Sequence, residues 1–270
     1  MQMALYPMTL TDFLSQDDDV SSSPSSTPAA PPLKHCYHLQ PSIRILLAVL
    51  DGIAYLHQNQ IVHRDLKPGN IFMAPGGTSS RLADGSVDLS SCHACSEKGA
   101  AGPMSLKVRI GDFGLVTALA TSVARDDGKP VDEAADEACK SSSLPPVGTE
   151  LYSPLDGVRG NASPALDIYA AGIVAVELLW PFGTRKFFFF SSLPLAKSLH
   201  ARTIADVYDS NLTGMERHET LTSLKSGRFP NDFNQRVGDP DGRMEACVRD
   251  MLRPDHPPIE ELRQRLAAIL

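Results

Sequence analysis

The chain has 270 residues, 42% hydrophobic and 21% charged, with 25 Lys and Arg against 32 Asp and Glu for a net charge of −7. That apolar share is enough for one sizeable core, while the acidic balance offers no general attraction for nucleic acid or an anionic membrane surface. Five cysteines, an odd number spread from Cys36 to Cys247, do not make a disulfide framework and point to a reducing compartment, the cytoplasm.

In chain order, residues 21–33 (SSSPSSTPAAPPL) carry no periodic apolar pattern and mark a disordered Ser/Pro-rich insert over 16–34. From Pro41 onward, Ile43, Leu46, Leu47, Leu50, Ile53, Ala54 and Leu56 recur at spacings of three and four, which predicts a buried amphipathic helix with Pro41 at its start. Ile61-Val62 and Ile71-Phe72 read as short strands on either side of a polar loop. Residues 74–103 are loop-like, and their Cys92-His93-Ala94-Cys95 has no second pair to complete a zinc site, so incidental thiols on an exposed loop are expected. Val108-Arg109-Ile110 reads as a strand, 121–146 as a polar insert, and 167–180 (DIYAAGIVAVELLW) as a strongly apolar helix. Helical spacing returns at 243–252 and 258–270, separated by the breaker RPDHPP. No apolar run is expected to reach a membrane span; the best candidate, Phe187 to Ala196, is short and contains Pro194.

The chemistry concentrates in His63-Arg64-Asp65-Leu66-Lys67-Pro68-Gly69-Asn70 and, further on, Asp112-Phe113-Gly114. Phosphoryl transfer from a nucleotide needs a carboxylate to orient the acceptor hydroxyl, oxygen ligands for Mg²⁺, and a cation for the moving phosphoryl charge. Asp65 can supply the first, Asn70 and Asp112 the second, and Lys67 the third.

These residues are similar to the catalytic and metal-binding loops of eukaryotic protein kinases, and the chain resembles their C-terminal lobe. The resemblance implies that Asp65 is the catalytic-loop aspartate and that Asn70 and Asp112 hold Mg²⁺. It makes His63 a structural residue, Arg64 the cation that meets a phosphorylated activation loop, and Phe72 the floor of the adenine pocket. Asp167 becomes the aspartate that holds the catalytic-loop backbone. Lys67 and Gly148-Thr149 resemble serine/threonine rather than tyrosine kinases. A narrower resemblance, to kinases of the translation initiation factor 2 alpha subunit, rests on Trp180-Pro181-Phe182-Gly183-Thr184-Arg185, Met215-Glu216-Arg217 and Phe229-Pro230-Asn231-Asp232-Phe233. In the same comparison Gln2 to Pro7 resembles the hinge strand, with Met3 as gatekeeper and Ala4 to Tyr6 offering backbone to adenine.

Three departures stand beside the matches. No Gly-rich loop, strand lysine or partner glutamate precedes Met3, so a chain that binds ATP weakly is expected. Residues 186–214, which open with four consecutive phenylalanines from Phe187, split the narrower motif; removing them joins Arg185 to Met215 and restores P-F-G-T-R-M-E-R, which reads as a retained intron, with a surface loop as the alternative. The expected A-P-E triplet stands as Ser153-Pro154-Leu155-Asp156, its acid displaced and its arginine partner without a clear match.

The expected fold is therefore mainly α, a protein-kinase-like C-terminal lobe with small β hairpins at the catalytic cleft and the N-terminal lobe essentially absent. Residues 1–15 form its hinge and first helix, and 35–270 the lobe itself, with loop inserts at 74–103, 121–146 and 186–214. The expected activity is transfer of the ATP γ-phosphate to a protein hydroxyl, with a non-catalytic kinase-derived interaction module as the alternative. ATP and Mg²⁺ are the expected cofactors. The expected partner is a protein substrate, the translation initiation factor 2 alpha subunit among the candidates, with no nucleic acid and no membrane. Ser141, Ser142 and Ser143 are candidates for regulatory phosphorylation that pairs with Arg64, a solvated serine run being the alternative.

Overall fold

The computed structural model describes residues 6–14, 35–76, 86–88, 105–118, 148–154, 163–182 and 216–270. Its centre is two packed helices, α2 (Leu39–Gln58) and α3 (Pro164–Leu179). One face of α2 is apolar: Ile43, Leu46, Leu50 and Ile53 are buried, while Asp51 and Tyr55 are exposed. The helix begins at Leu39, two residues before the predicted start. Pro41 is accommodated there because N–H groups in a first turn have no intrahelical partner to lose. Contrary to the expectation from sequence, α2 is long and apolar enough, by length and composition, to cross a membrane. Its apolar face is used inside the fold, against α3 and a sheet.

Helix α3 is capped by Ser163, whose hydroxyl accepts the Ala165 N–H at 3.3 Å, and Pro164 occupies its first turn. Residues 167–179 are buried on every side, which makes α3 the pillar around which the chain is wound. Helix 216–224, here α4, is followed by α5 (Phe233–Val237), α6 (Arg243–Met251) and α7 (Ile259–Ala267), the last two matching the helical spacing of the C-terminal sequence. Trp180, just past α3, stacks on Phe233 with ring centroids 6.1 Å apart. Arg236 covers its ring at 4.4 Å, and Phe229 meets Phe233 edge-on.

On the other side of α2 lies a four-stranded antiparallel sheet in the order β1-β3-β5-β4, made of β1 (Met8–Thr9), β3 (Ile71–Pro75), β5 (Ser105–Ile110) and β4 (Ser86–Asp88). Its registers pair Met8 with Met73, Ile71 with Ile110 and Val87 with Leu106. A second ladder joins β2 (Ile61–Val62) to β6 (Thr117–Ala118). The reading of 74–103 as loop throughout is corrected here. Ala74 and Pro75 extend β3, and 86–88 form β4, because Val87 finds a buried apolar place beside Leu106. The short α1 (Leu10–Leu14) is closed by reciprocal bonds between Thr9 and Asp12.

The ends of two insertions are bonded to each other: His35 N donates to Phe13 O at 3.1 Å across 15–34, and Gly76 N donates to Ser105 O at 2.6 Å across 77–104. The assignments made for Cys92 and Cys95, Ser141 to Ser143, Asp156 and 186–214 lie outside the described residues.

Candidate active site

The polar loop between β2 and β3 is held from below by one carboxylate. Asp167, fully buried in the first turn of α3, accepts the backbone N–H of His63 on Oδ2 and that of Arg64 on Oδ1, each at 2.9 Å. His57, in the last turn of α2, donates Nε2–H to the same Oδ2 at 2.9 Å. The loop thus hangs from the two central helices at one point. This tie also stabilises Arg64, whose backbone is left-handed at φ 70°, an unfavourable region for a residue with a Cβ.

His63 is buried and crosses the site. Its Nε2 donates to Gly111 O at 3.0 Å, its Nδ1 accepts the Asp65 N–H at 3.4 Å, and its ring meets Phe113 edge-on at 5.5 Å. One side chain therefore links the polar loop to the segment that carries Asp112.

Around Asp65 the geometry is closed and polar. Its Oδ2 accepts Lys67 Nζ at 2.6 Å and Asn70 Nδ2 at 3.1 Å, while Oδ1 accepts both the N–H and the hydroxyl of Thr149, at 3.0 and 2.9 Å. Lys67 Nζ also donates to Thr149 Oγ1 at 3.0 Å. Burial pushes the Asp65 carboxyl up, but hydrogen bonds from Lys67 and Thr149 and the charge of Lys67 outweigh it, holding it below the usual aspartate range. A carboxylate ionised at neutral pH and fixed in orientation is the form that can accept a hydrogen bond from an alcohol.

Gly148 is what lets Thr149 arrive. Its φ is 107°, and a Cβ there would lie 2.6 Å from Arg64 O. Glycine is required on both counts.

Asn70 donates Nδ2 to the Asp65 carbonyl at 2.8 Å as well as to its carboxylate, which leaves the amide oxygen Oδ1 as its coordinating atom. Gly111 N donates to Asn70 O at 3.0 Å, so Asp112, the next residue, enters beside Asn70 although the two are 42 positions apart in sequence. Asp112 is exposed, with a left-handed backbone at φ 60°. Two hard oxygen donors of this kind suit a divalent cation that keeps its remaining places for phosphate and water. Among the described residues no cluster of three or more His, Cys, Asp or Glu forms a cage for a metal. The nearby aromatic wall is Phe72, whose ring faces that of Tyr6 at a centroid distance of 6.4 Å. It also sits where a Cβ on Gly111 would be, at 2.7 Å from Cε2. Tyr6 and Phe72 are thus neighbours, while Ala4 lies outside the described residues.

A family profile described as protein kinase domain matches residues 33–191. The chain belongs to the protein kinase domain family. Members work with ATP and a divalent metal cation, which the donor set of Asn70 and Asp112 fits. The chain is 27% identical over 220 residues to eukaryotic translation initiation factor 2-alpha kinase 3 of Bos taurus, an alignment covering 78% of this chain and 13% of that one. It is 30% identical over 214 residues to eukaryotic translation initiation factor 2-alpha kinase 1 of Schizosaccharomyces pombe, covering 74% and 24%. Against eIF-2-alpha kinase GCN2 of Mus musculus it is 32% identical over 202 residues, covering 71% and 9%. This kinase chain therefore spans a quarter or less of the length of these relatives.

Two features of the kinase site are not evident from its motifs. His57 is one, since a histidine closing an amphipathic helix is usually a surface residue; its position one turn before the catalytic loop is the available signal. The other is a buried group of Tyr152, Glu177 and Arg217. Arg217 donates Nε and Nη2 to Glu177 Oε1 at 2.8 and 2.5 Å and Nη2 to the Tyr152 hydroxyl at 2.8 Å, while that hydroxyl donates to Glu177 Oε2 at 2.8 Å. Burial pulls the Arg217 guanidinium down, but Glu177 and Tyr152 outweigh it and raise it above its usual value, so it remains charged. The two halves of the motif split by 186–214 are thus tied to one end of α3: Trp180 and Phe182 continue from it, and Arg217 binds Glu177 on it.

Proposed function

We propose that this chain is the catalytic region of a serine/threonine protein kinase and that its substrate is the alpha subunit of translation initiation factor 2. The observation that carries the reading is the Asp65–Lys67–Thr149 triangle, in which an ionised carboxylate is presented by a lysine and a threonine. The substrate follows the printed names of the relatives together with the motif formed by Trp180 to Arg185 and Met215 to Arg217.

In this mechanism Asp65 accepts a hydrogen bond from the serine or threonine hydroxyl and aims its oxygen at the γ-phosphorus of ATP. A new phosphorus–oxygen bond forms as the bond to the β–γ bridging oxygen breaks, and ADP leaves with that electron pair. The hydroxyl proton passes to the Asp65 carboxylate and then to solvent. Lys67, already bonded to Asp65, offers its ammonium to the phosphoryl oxygens. Asn70 and Asp112 would hold Mg²⁺, which supplies charge neutralisation on the phosphates. Phe72 and Tyr6 give an apolar face for adenine. Five cysteines, an odd number without a disulfide framework, suit a reducing cytoplasm, the compartment proposed for the reaction.

The test uses the whole chain with Mg-ATP and purified translation initiation factor 2 alpha subunit. Incorporation of γ-phosphate on serine or threonine, lost in Asp65→Asn, is the expected result. Mg-ATP is also expected to raise the melting temperature of the chain, and less so in Asp112→Asn. No thermal shift and no transfer would instead favour the non-catalytic module.

A further inference from the structure

We infer that Arg217 is a positioning residue for residues 148–154, here the acceptor loop, acting through Tyr152 on Thr149 and so on Asp65; this rests on the proposed phosphoryl transfer. The path is continuous. Arg217, in the first turn of α4, bonds the Tyr152 hydroxyl and the fully buried Glu177 on α3. Tyr152 N donates to Thr149 O at 3.0 Å, closing a single 3-10 turn over Glu150–Tyr152. Thr149 in turn gives two hydrogen bonds to Asp65 Oδ1. A second tie comes from just past the other end of this helix, where Lys225 Nζ donates to Glu150 O at 2.7 Å. Helix α4 therefore grips the acceptor loop at Glu150 and at Tyr152, and α3 supplies the fixed anchor.

The charge balance explains why an arginine stands at this place. Glu177 is 0% exposed, and a carboxylate so buried needs a partner that satisfies more than one lone pair. The guanidinium meets Glu177 Oε1 through two nitrogens and still reaches the Tyr152 oxygen, a planar fork that a single ammonium nitrogen does not reproduce. Arg217→Lys therefore keeps the charge and breaks this fork, leaving Tyr152 with its bond to Glu177 alone. Tyr152→Phe keeps the ring packing and loses the same link from the other side.

The deciding measurement is hydrogen–deuterium exchange of the full chain, read at the amides of 149–153 against those of 63 and 64, which Asp167 holds independently. In both Arg217→Lys and Tyr152→Phe, exchange at 149–153 is expected to rise about tenfold or more, with 63 and 64 unchanged. A kinetic arm uses the translation initiation factor 2 alpha subunit. The variants are expected to raise its KM or lower the transfer rate while leaving the affinity for ATP as in the wild type. Folded variants whose 149–153 amides exchange within twofold of wild type overturn the inference. Tyr152→Phe guards against an Arg217 variant that fails to fold. Exchange needs no turnover, so absence of transfer by the wild-type chain would sink the proposed function alone.

Discussion

His57 and Asp167, 110 positions apart, meet at 2.9 Å between Nε2 and Oδ2, so the end of α2 and the start of α3 are joined on the carboxylate that suspends the catalytic loop. This carboxylate accepts three hydrogen bonds in a fully buried setting. Its neighbours are therefore interdependent. Asp167→Asn replaces one acceptor oxygen by an N–H₂ facing N–H donors, and the loss of stability is expected to be about 2–4 kcal/mol by denaturant unfolding. His57→Ala, which leaves both backbone N–H bonds in place, is expected to cost about 1 kcal/mol or a little more.

The Lys67 ammonium at Asp65 has a consequence for pH. Because Asp65 is held below its usual value in the folded chain, its ionisation contributes stability above the unfolded-state value, and that contribution is lost as pH falls through the folded one. Lys67→Ala removes a hydrogen bond and a charge that both depress the value. The Asp65 carboxyl is then expected to titrate at higher pH, and the acid limb of the stability profile to move up with it. Carboxyl carbon shifts followed by NMR would reveal this, and an unmoved midpoint would refute it.

Gly148→Ala places a Cβ at 2.6 Å from Arg64 O in a backbone with φ 107°. Neither backbone segment can yield cheaply, since Arg64 is pinned by Asp167 and Thr149 by Asp65. A loss of about 1–3 kcal/mol is expected in thermal or denaturant unfolding, together with displacement of Thr149 that NMR would register at its amide.

Gly111→Ala should act on the nucleotide instead of the fold. Its Cβ would enter the Phe72 ring at 2.7 Å, and that ring, half-buried, can turn away. The expected outcome is a several-fold weaker affinity for ATP by calorimetry with a melting temperature close to wild type.

Trp180 stacks on Phe233 and is covered by the Arg236 guanidinium. Trp180→Ala is expected to cost about 3–5 kcal/mol in denaturant unfolding, whereas Arg236→Met, which keeps the covering chain, should cost about 1 kcal/mol or less.

The candidate site was legible because its polar residues stand at short, local spacing. Asp65, Lys67 and Asn70 lie within one loop, and the structure brings all three together. The amphipathic period of 43–56 and the unbroken apolar run of 167–180 likewise predicted the two central helices, since burial on one face and burial on all faces leave different patterns. Strand β4 was not legible: three residues, Ser86 to Asp88, carry too little pattern, and their pairing is decided by the vacant edge of β5. The tie of Tyr152 to Glu177 and Arg217 was not legible, because its three members stand far apart along the chain; Asp156, read as a displaced acid, lies outside the described residues.

What the amino-acid order determined by itself is the candidate site and the two helices, both written in residues close together along the chain. Tertiary structure alone decided the partners that cross long separations: His57 with Asp167, Arg217 with Glu177, and Asn70 with the approach of Asp112. The reason is physical. A buried charge is compensated by whichever group the packing of α2, α3 and α4 brings within hydrogen-bonding distance, and that proximity is a property of the assembled core, with no periodic trace in the sequence.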